Sequence, residues 1–386
     1  MIHRLANIQD DISFLLLGPR QTGKTTLIQS RFKDAVYTID LLQHDVYLRY
    51  SKNPGLFRKD ILAQHKTHNT TRFFVDEIQR VPALLDDIHS LIESHHFQFM
   101  LTGSSSRKLK RSGANLLAGR AVQKFIFPYV YQEIADSFDL ERVLRFGTLP
   151  SIYQKPDALK IEILNTYTQT YLKEEIQAEA LVRSMGAFAN FLEVAAAQSG
   201  ELLNYTNIGR DCGLAAKTVQ NYYQILEDTL IGFRLLPWRK SVRRQLGSQP
   251  KFYIFDTGVL NSLNHRLNDV PDLVYRGRLF EHLMILEAVR HLHYVSTDCR
   301  LYFWYTHDQK EVDLVIEKHQ QLRYAIEFKS ASNVSRSHLS GLHSFANDNP
   351  NVPCILVCNT LNPYEEAGIQ VWPWQHYLGE ITRLLA

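Results

Sequence analysis

Residues 18–26, Gly18-Pro19-Arg20-Gln21-Thr22-Gly23-Lys24-Thr25-Thr26, fit the pattern G-x-x-x-x-G-K-[ST]. Glycines at these positions let successive backbone N–H groups curl around phosphate oxygens, and a helix starting behind them adds a favourable dipole. This stretch is expected to cradle the phosphates of ATP, with Lys24 on the β- and γ-phosphates and the Thr25 hydroxyl on Mg²⁺. An apolar run further on, Phe73-Phe74-Val75, ends in Asp76-Glu77. Two acids at the end of a buried strand are costly unless they meet a cation or a reacting group. Asp76 is expected in the Mg²⁺ shell and Glu77 as the base that polarises the attacking water.

Two further positions bear on the same chemistry. The run Phe97–Leu101 ends in Thr102-Gly103-Ser104, and a polar side chain there would sense the γ-phosphate, Thr102 first and Ser104 second. An arginine on the developing charge accelerates phosphoryl transfer where one is used. Arg120 is the first candidate and Arg107 the next, although either serves equally well as a surface arginine.

A separate group lies near the C-terminus. Val312-Asp313-Leu314-Val315-Ile316 is followed by Tyr324-Ala325-Ile326-Glu327-Phe328-Lys329. Residues two apart on a strand share a face, so Glu327 and Lys329 point together, with Ile326 and Phe328 opposite. A hairpin would bring Asp313 beside them, and Glu281, on a preceding helix, would lean over the same spot. The set resembles the PD-(D/E)xK nuclease core, with Val312 where the name has proline. That resemblance implies Asp313 and Glu327 on one divalent ion, their carboxylates within about 5 Å, and Lys329 aimed at the same point. An E-x-K strand without chemistry is also frequent, and such cores persist as inert DNA-binding scaffolds.

The elements that must position these residues follow from the apolar rhythm. FLLLG, AVYTID, RFFVDE, FQFMLTG and AVQKFIF alternate with helical patterns from 12 to about 128, which predicts a mostly parallel sheet with helices on both faces. A helical region follows from about 157 to 230. Within it, residues 205–238 resemble a winged helix-turn-helix, with a turn at Gly213 and Ala216–Tyr223 in the recognition position. Lys217 lies near the start of that helix. Arg234, Arg239, Lys240, Arg243, Arg244 and Lys251 follow without an intervening acid, as a wing against phosphate would need. A long helix around 277–290 and strands LYFWYT, EVDLVIE and LRYAIEFK then predict a second, smaller α/β domain. The expected division is 1–155, 156–245 and 246–386.

Bulk composition is that of a globular chain: 45% hydrophobic, 22% charged, formal net charge +3. So small a charge gives no reason by itself to expect nucleic acid. The four scattered cysteines suit a reducing compartment, and Cys354 and Cys358 in VPCILVCN read as buried strand thiols. The first apolar run is too short for a signal peptide, and no stretch approaches the ~18 apolar residues that span a bilayer. A cytoplasmic protein without membrane contact is expected. No G-x-G-x-x-G is present, which excludes a dinucleotide oxidoreductase.

GPRQTGKT, FFVDEIQRVPALL, LTGSSSRKL, LAGRA and the later YLKEEI resemble the bacterial and archaeal AAA+-type P-loop ATPases that carry a C-terminal domain of unknown function. The resemblance spans nearly the whole chain. It implies ATP and Mg²⁺ as cofactors, the roles given above for Lys24, Thr25, Asp76 and Glu77, and an arginine that acts in cis or, in a homo-oligomer, in trans. Two functional readings stand: an ATPase acting on or near DNA, with a nuclease-like module, or a nucleotide-gated switch that binds a protein partner and carries an inert C-terminal domain.

Overall fold

The computed structural model describes residues 2–32, 36–107, 119–171, 185–239, 249–295 and 297–386. Among them, the five expected N-terminal runs form strands β1 (Ser13–Leu17), β2 (Tyr37–Asp40), β3 (Arg72–Asp76), β4 (Gln98–Gly103) and β5 (Ala121–Phe125). They make one sheet in the order β2-β3-β4-β1-β5, and every pairing is parallel. Parallel strands need crossovers, supplied by α1 (Lys24–Arg31), α2 (His44–Lys52), α3 (Gly55–His68) and α4 (Leu84–His95). Whereas the edge strands β2 and β5 are partly exposed, both faces of β1, β3 and β4 are apolar and covered: Leu15, Phe73 and Leu101 pack to one side, Phe14, Phe74 and Met100 to the other. That explains why these strands read as unbroken hydrophobic runs. The domain has the fold of a P-loop NTPase.

Short helices α5 (Tyr131–Ile134) and α6 (Leu140–Phe146) lead out of this sheet. Next come α7 (Asp157–Thr166), α8 (Met185–Ala197), α9 (Tyr205–Cys212) and α10 (Ala216–Asp228). Asn204 caps α9 by accepting from the N–H groups of Thr206 and Asn207, and Gly213 closes it. An antiparallel hairpin follows, β6 (Gly232–Pro237) with β7 (Lys251–Ile254). Leu202 bridges to Lys251, which ties the segment before α9 to this hairpin.

After α11 (Thr257–Leu263) comes α12 (Leu273–Tyr294), longer at both ends than its apolar pattern indicates. Asp272 sets its start, accepting from the Tyr275 N–H. Strands β8 (Cys299–Tyr305), β9 (Glu311–Lys318) and β10 (Gln321–Phe328) form an antiparallel meander. Helix α13 (Arg336–Asp348) crosses over to β11 (Cys354–Cys358), parallel to β10, and β12 (Tyr364–Glu366), β13 (Ile369–Pro373) and α14 (Trp374–Leu385) complete the chain. Cys354 and Cys358 are free and buried in β11, as expected. The sheet order is β12-β13-β11-β10-β9-β8-β6-β7. The hairpin β6–β7 therefore belongs to this sheet, through β6 lying parallel to β8, and position 245 falls between the two strands of one hairpin.

One apolar core runs from Val143 to Leu385 through both the helical region and the second sheet. Helix α12 also reaches the first domain. Glu287 accepts from the Tyr131 N–H, Arg290 donates to Tyr129 O, and the Tyr294 hydroxyl accepts from the Phe127 N–H. No helix among the described residues is long and apolar enough to cross a membrane.

Candidate functional site

The P-loop joins the carboxyl end of β1 to α1, the edge of an open parallel sheet where ligands bind. Gly18 has no room for a side chain, since a Cβ there would lie 2.2 Å from Ile126 O. Gly23 has φ +86°, a left-handed conformation that opens α1 without strain only for glycine. The Lys24 ammonium is buried and donates to Gly18 O at 2.8 Å and Pro19 O at 2.9 Å, so it sits within the loop it would serve.

Asp76 ends β3 at the same edge. Thr25 Oγ1 donates to Asp76 Oδ2 at 2.8 Å, and Thr102 Oγ1, at the end of β4, donates to Asp76 Oδ1. Burial raises the Asp76 pKa, and the two threonine hydroxyls oppose that rise. Hydroxyl and carboxylate oxygens are the hard donors that suit Mg²⁺. The sequence suggests Thr102 as a sensor of the γ-phosphate; here it fixes Asp76 and accepts from the Glu77 N–H at 3.1 Å.

Glu77 has φ +58°, uncommon for a residue with a side chain and frequent where geometry serves a site. Its Oε2 accepts from Ser104 Oγ at 3.0 Å and from Gln79 Nε2, which also donates to Ser104 at 2.9 Å. Sequence reasoning misses Gln79, although its place two residues after the acid pair is a usable signal. Beside the loop lies a cavity of about 600 Å³ lined by Ile2, His3, Gln21, Leu27, Tyr129 and Pro150, among others, roomy enough for a nucleoside. Arg4 braces it, donating to Thr22 O at 2.8 Å and pairing with buried Glu133 at 3.1 Å. Nothing in the composition of the N-terminus marks Arg4.

The two candidate arginines lie apart from the P-loop residues of their own chain. Arg120 precedes β5, whose Ala121 is in register with Ser13, so it lies at the opposite end of the sheet from Gly18. Five residues of strand separate the two levels, about 16 Å. Arg120 pairs there with Glu93 of α4. Arg107 pairs with Asp228 at 3.5 Å, while Ser106 N–H donates to Asp228 O at 3.0 Å, which fastens the end of the β4 loop to the end of α10.

The basic wing is also depleted. Arg234 pairs with Glu227, and Lys251 is buried against Glu281 and Glu311. Arg239 donates to Tyr305 O at 2.9 Å and stacks on that ring. Lys217 is exposed on α10. Lys240, Arg243 and Arg244 lie outside the described residues, as do Leu117 and Ala118 of LAGRA and the Leu172–Ile176 part of YLKEEI.

The C-terminal residues are brought together. The β9–β10 register sets Ile326 opposite Leu314, which carries Glu327 toward Asp313. Asp313 Oδ2 accepts from the Phe328 N–H at 2.8 Å, and Lys329 Nζ lies 2.5 Å from Glu327 Oε1. Burial, then the charges of Glu327 and Glu281, push the Asp313 pKa well above the usual range, and burial lifts Glu327 to about 7. Glu281 belongs to the same cluster, from the middle of α12 rather than its start. No three His, Cys, Asp or Glu side chains among the described residues are arranged to hold a metal ion.

Three family models match the chain: an AAA domain over residues 11–135, and two domains of unknown function over 137–269 and 276–377. Among curated proteins, an uncharacterised protein of Mycobacterium tuberculosis is 26% identical over 343 residues, spanning 85% of this chain and 73% of that protein. An uncharacterised protein of Haemophilus influenzae is 22% identical over 349 residues, 84% of each chain. Among solved structures, the replication initiator DnaA bound to AMPPCP and single-stranded DNA covers 56% of this chain and 82% of its own, at 14% identity and a TM-score of 0.27, too low for any inference about this chain.

Proposed function

We propose that this chain is a Mg²⁺-dependent ATPase whose turnover acts on or near nucleic acid. The observation that carries the ATPase reading is the 2.8 Å hydrogen bond between Thr25 and Asp76. It joins the P-loop hydroxyl to the strand-end acid, the two side chains that would hold Mg²⁺ against a bound triphosphate. The ion would neutralise charge on the β- and γ-phosphates. Residues 18–26 supply the phosphate cradle, Lys24 its cation, and Thr102 the brace that keeps Asp76 in place. Glu77 orients the water once Ser104 and Gln79 yield it.

In this reading α8–α10 and the β6–β7 hairpin form a winged helix. Lys217 and Arg239 meet the phosphate backbone, and Lys240, Arg243 and Arg244 are assigned the same role on sequence alone. The second sheet is a nuclease-like scaffold, on the strength of Glu281, Asp313, Glu327 and Lys329 converging. Asp76→Asn in the full chain is expected to abolish Mg²⁺-dependent ATP turnover, and duplex or single-stranded DNA or RNA to alter the wild-type rate. Turnover near wild type in that variant would remove the assignment of the metal shell.

The alternative, a nucleotide-gated switch for a protein partner, draws support from the inward pairing of Arg234 and Lys251, which leaves less charge for phosphate. A turnover rate indifferent to every nucleic acid offered, with no salt-dependent binding, would favour it.

A further inference from the structure

Lys251 is the first residue of β7, at the closing side of the hairpin, yet its side chain is only 6% exposed. Its ammonium lies 3.3 Å from Glu281 Oε1 and against Glu311 Oε1. The Phe303 ring lies 5.5 Å away. Tyr253, two residues on and on the same strand face, donates to the same Glu281 oxygen at 3.0 Å. Burial works against the Lys251 charge, but Glu281, Tyr253, Glu311 and Asp313 outweigh it and push the pKa well above the lysine range. A second cation, Lys329, is paired with Glu327, whose other oxygen is buried without a hydrogen-bond partner.

A cation-dependent nuclease site needs a divalent ion among the helix acid, the strand acid and the glutamate of E-x-K. Here a lysine of β7, which is not a neighbour of β9 or β10 in the sheet, pairs with the helix acid of that set, Glu281, and with Glu311 of β9. An ammonium is a compact charge with three donors, able to satisfy carboxylates as an ion would. It carries no water to activate, and it repels a second cation among the same oxygens. We propose that Lys251 is the resident cation of this cluster, in the place a divalent metal would hold, so that the C-terminal sheet holds a phosphate backbone without cutting it. The inference rests on reading Glu281, Asp313, Glu327 and Lys329 as a nuclease-like set.

The test uses the full chain without nucleotide: wild type, Lys251→Ala, and Lys251→Met, which keeps the stem against Phe303 and removes the charge. Each is titrated with Mn²⁺ in a thermal melt and incubated with labelled DNA and RNA. The wild-type Tm is expected to stay unmoved and the nucleic acid intact. Lys251→Ala, with its acids uncovered, is expected to gain about 5 °C in saturating Mn²⁺. Lys251→Met is read in its place if the alanine variant does not fold. Three results overturn the proposal: a wild-type Mn²⁺ shift as large as the variant's, wild-type Mn²⁺-dependent cleavage that disappears on Lys329→Ala, or a folded variant indifferent to Mn²⁺. Failure of the wild type to bind nucleic acid in a mobility shift would instead strike the nucleic-acid reading, and the Mn²⁺ comparison would still decide the role of Lys251.

Discussion

Replacing Arg290 with Met isolates a buried charge arrangement in the interior. Arg290 is 1% exposed and donates to Tyr129 O at 3.0 Å, Thr148 Oγ1 at 3.1 Å and Phe255 O at 3.0 Å. It lies 3.9 Å from Asp256 and 3.6 Å from Glu287, both fully buried. Methionine fills much of the volume but leaves two acids without their cation. Removing one partner of a buried pair costs about 3–5 kcal/mol, and the three orphaned acceptors fall within that figure because they belong to one network. The loss should depend on pH. Burial raises the Asp256 pKa, while Arg290 and the N–H groups of Thr148, Val259 and Gly258 hold it down. Without Arg290 it rises further. An acid whose folded pKa exceeds its unfolded value binds its proton more tightly when folded. Its penalty is therefore absent below the unfolded pKa and grows as pH rises toward the folded one, by at most about 1.4 kcal/mol per pH unit. Urea midpoints at pH 5 and pH 8 should show the larger loss at pH 8. Adding Asp256→Asn to the variant should shrink that difference. A loss under about 1 kcal/mol, or one equal at both pH values with Asp256 intact, would refute the reasoning.

Glu77→Gln keeps the shape of the side chain and removes the base, so turnover should fall by roughly 10²–10⁴ with nucleotide affinity retained, measured by phosphate release and by ATP titration. Lys24→Ala removes the cation buried in the P-loop and should abolish detectable ATP binding; unchanged affinity would sink the phosphate assignment. Changing Lys217 and Arg239 together to Ala should reduce the log–log salt slope of duplex DNA binding by about 0.9 for each phosphate no longer neutralised, and an unaltered slope would hand this surface to a protein partner.

Strands β1, β3 and β4 are legible because both their faces are buried, so each shows as a short apolar run ending at the P-loop edge of the sheet. Lys24, Thr25, Asp76 and Glu77 are legible as candidates because each pair lies in one short motif, and the fold brings Thr25 and Asp76 together. The position of Arg120 is not legible because it depends on which strand pairs with β1 and at what level, and no local pattern encodes that register. The joining of β6–β7 to the second sheet is hidden for the same reason: the link between β6 and β8 rests on residues more than sixty positions apart, Leu236 with Tyr302 and Pro237 with Phe303. Lys251 reads as wing charge because sequence shows a side chain's type and not the face to which its strand turns it.

The sharing of one hairpin by two regions bears on how this chain can be divided. Strand β8 carries Leu301, Tyr302, Phe303 and Trp304, and its outer edge is covered by β6, with the Trp238 N–H donating to Phe303 O at 2.6 Å. A fragment beginning at 246 would keep β7 but lose β6, leaving an aromatic strand with open backbone donors and acceptors. Such an edge recruits another strand from a second molecule, and self-association would follow. The helical region, cut at the same place, would lose β7 and with it the bridge from Leu202. The two regions are therefore expected to be inherited, expressed and degraded as one unit, and recombination between relatives should tolerate a crossover before Leu202 or after Ile254 far better than one between them.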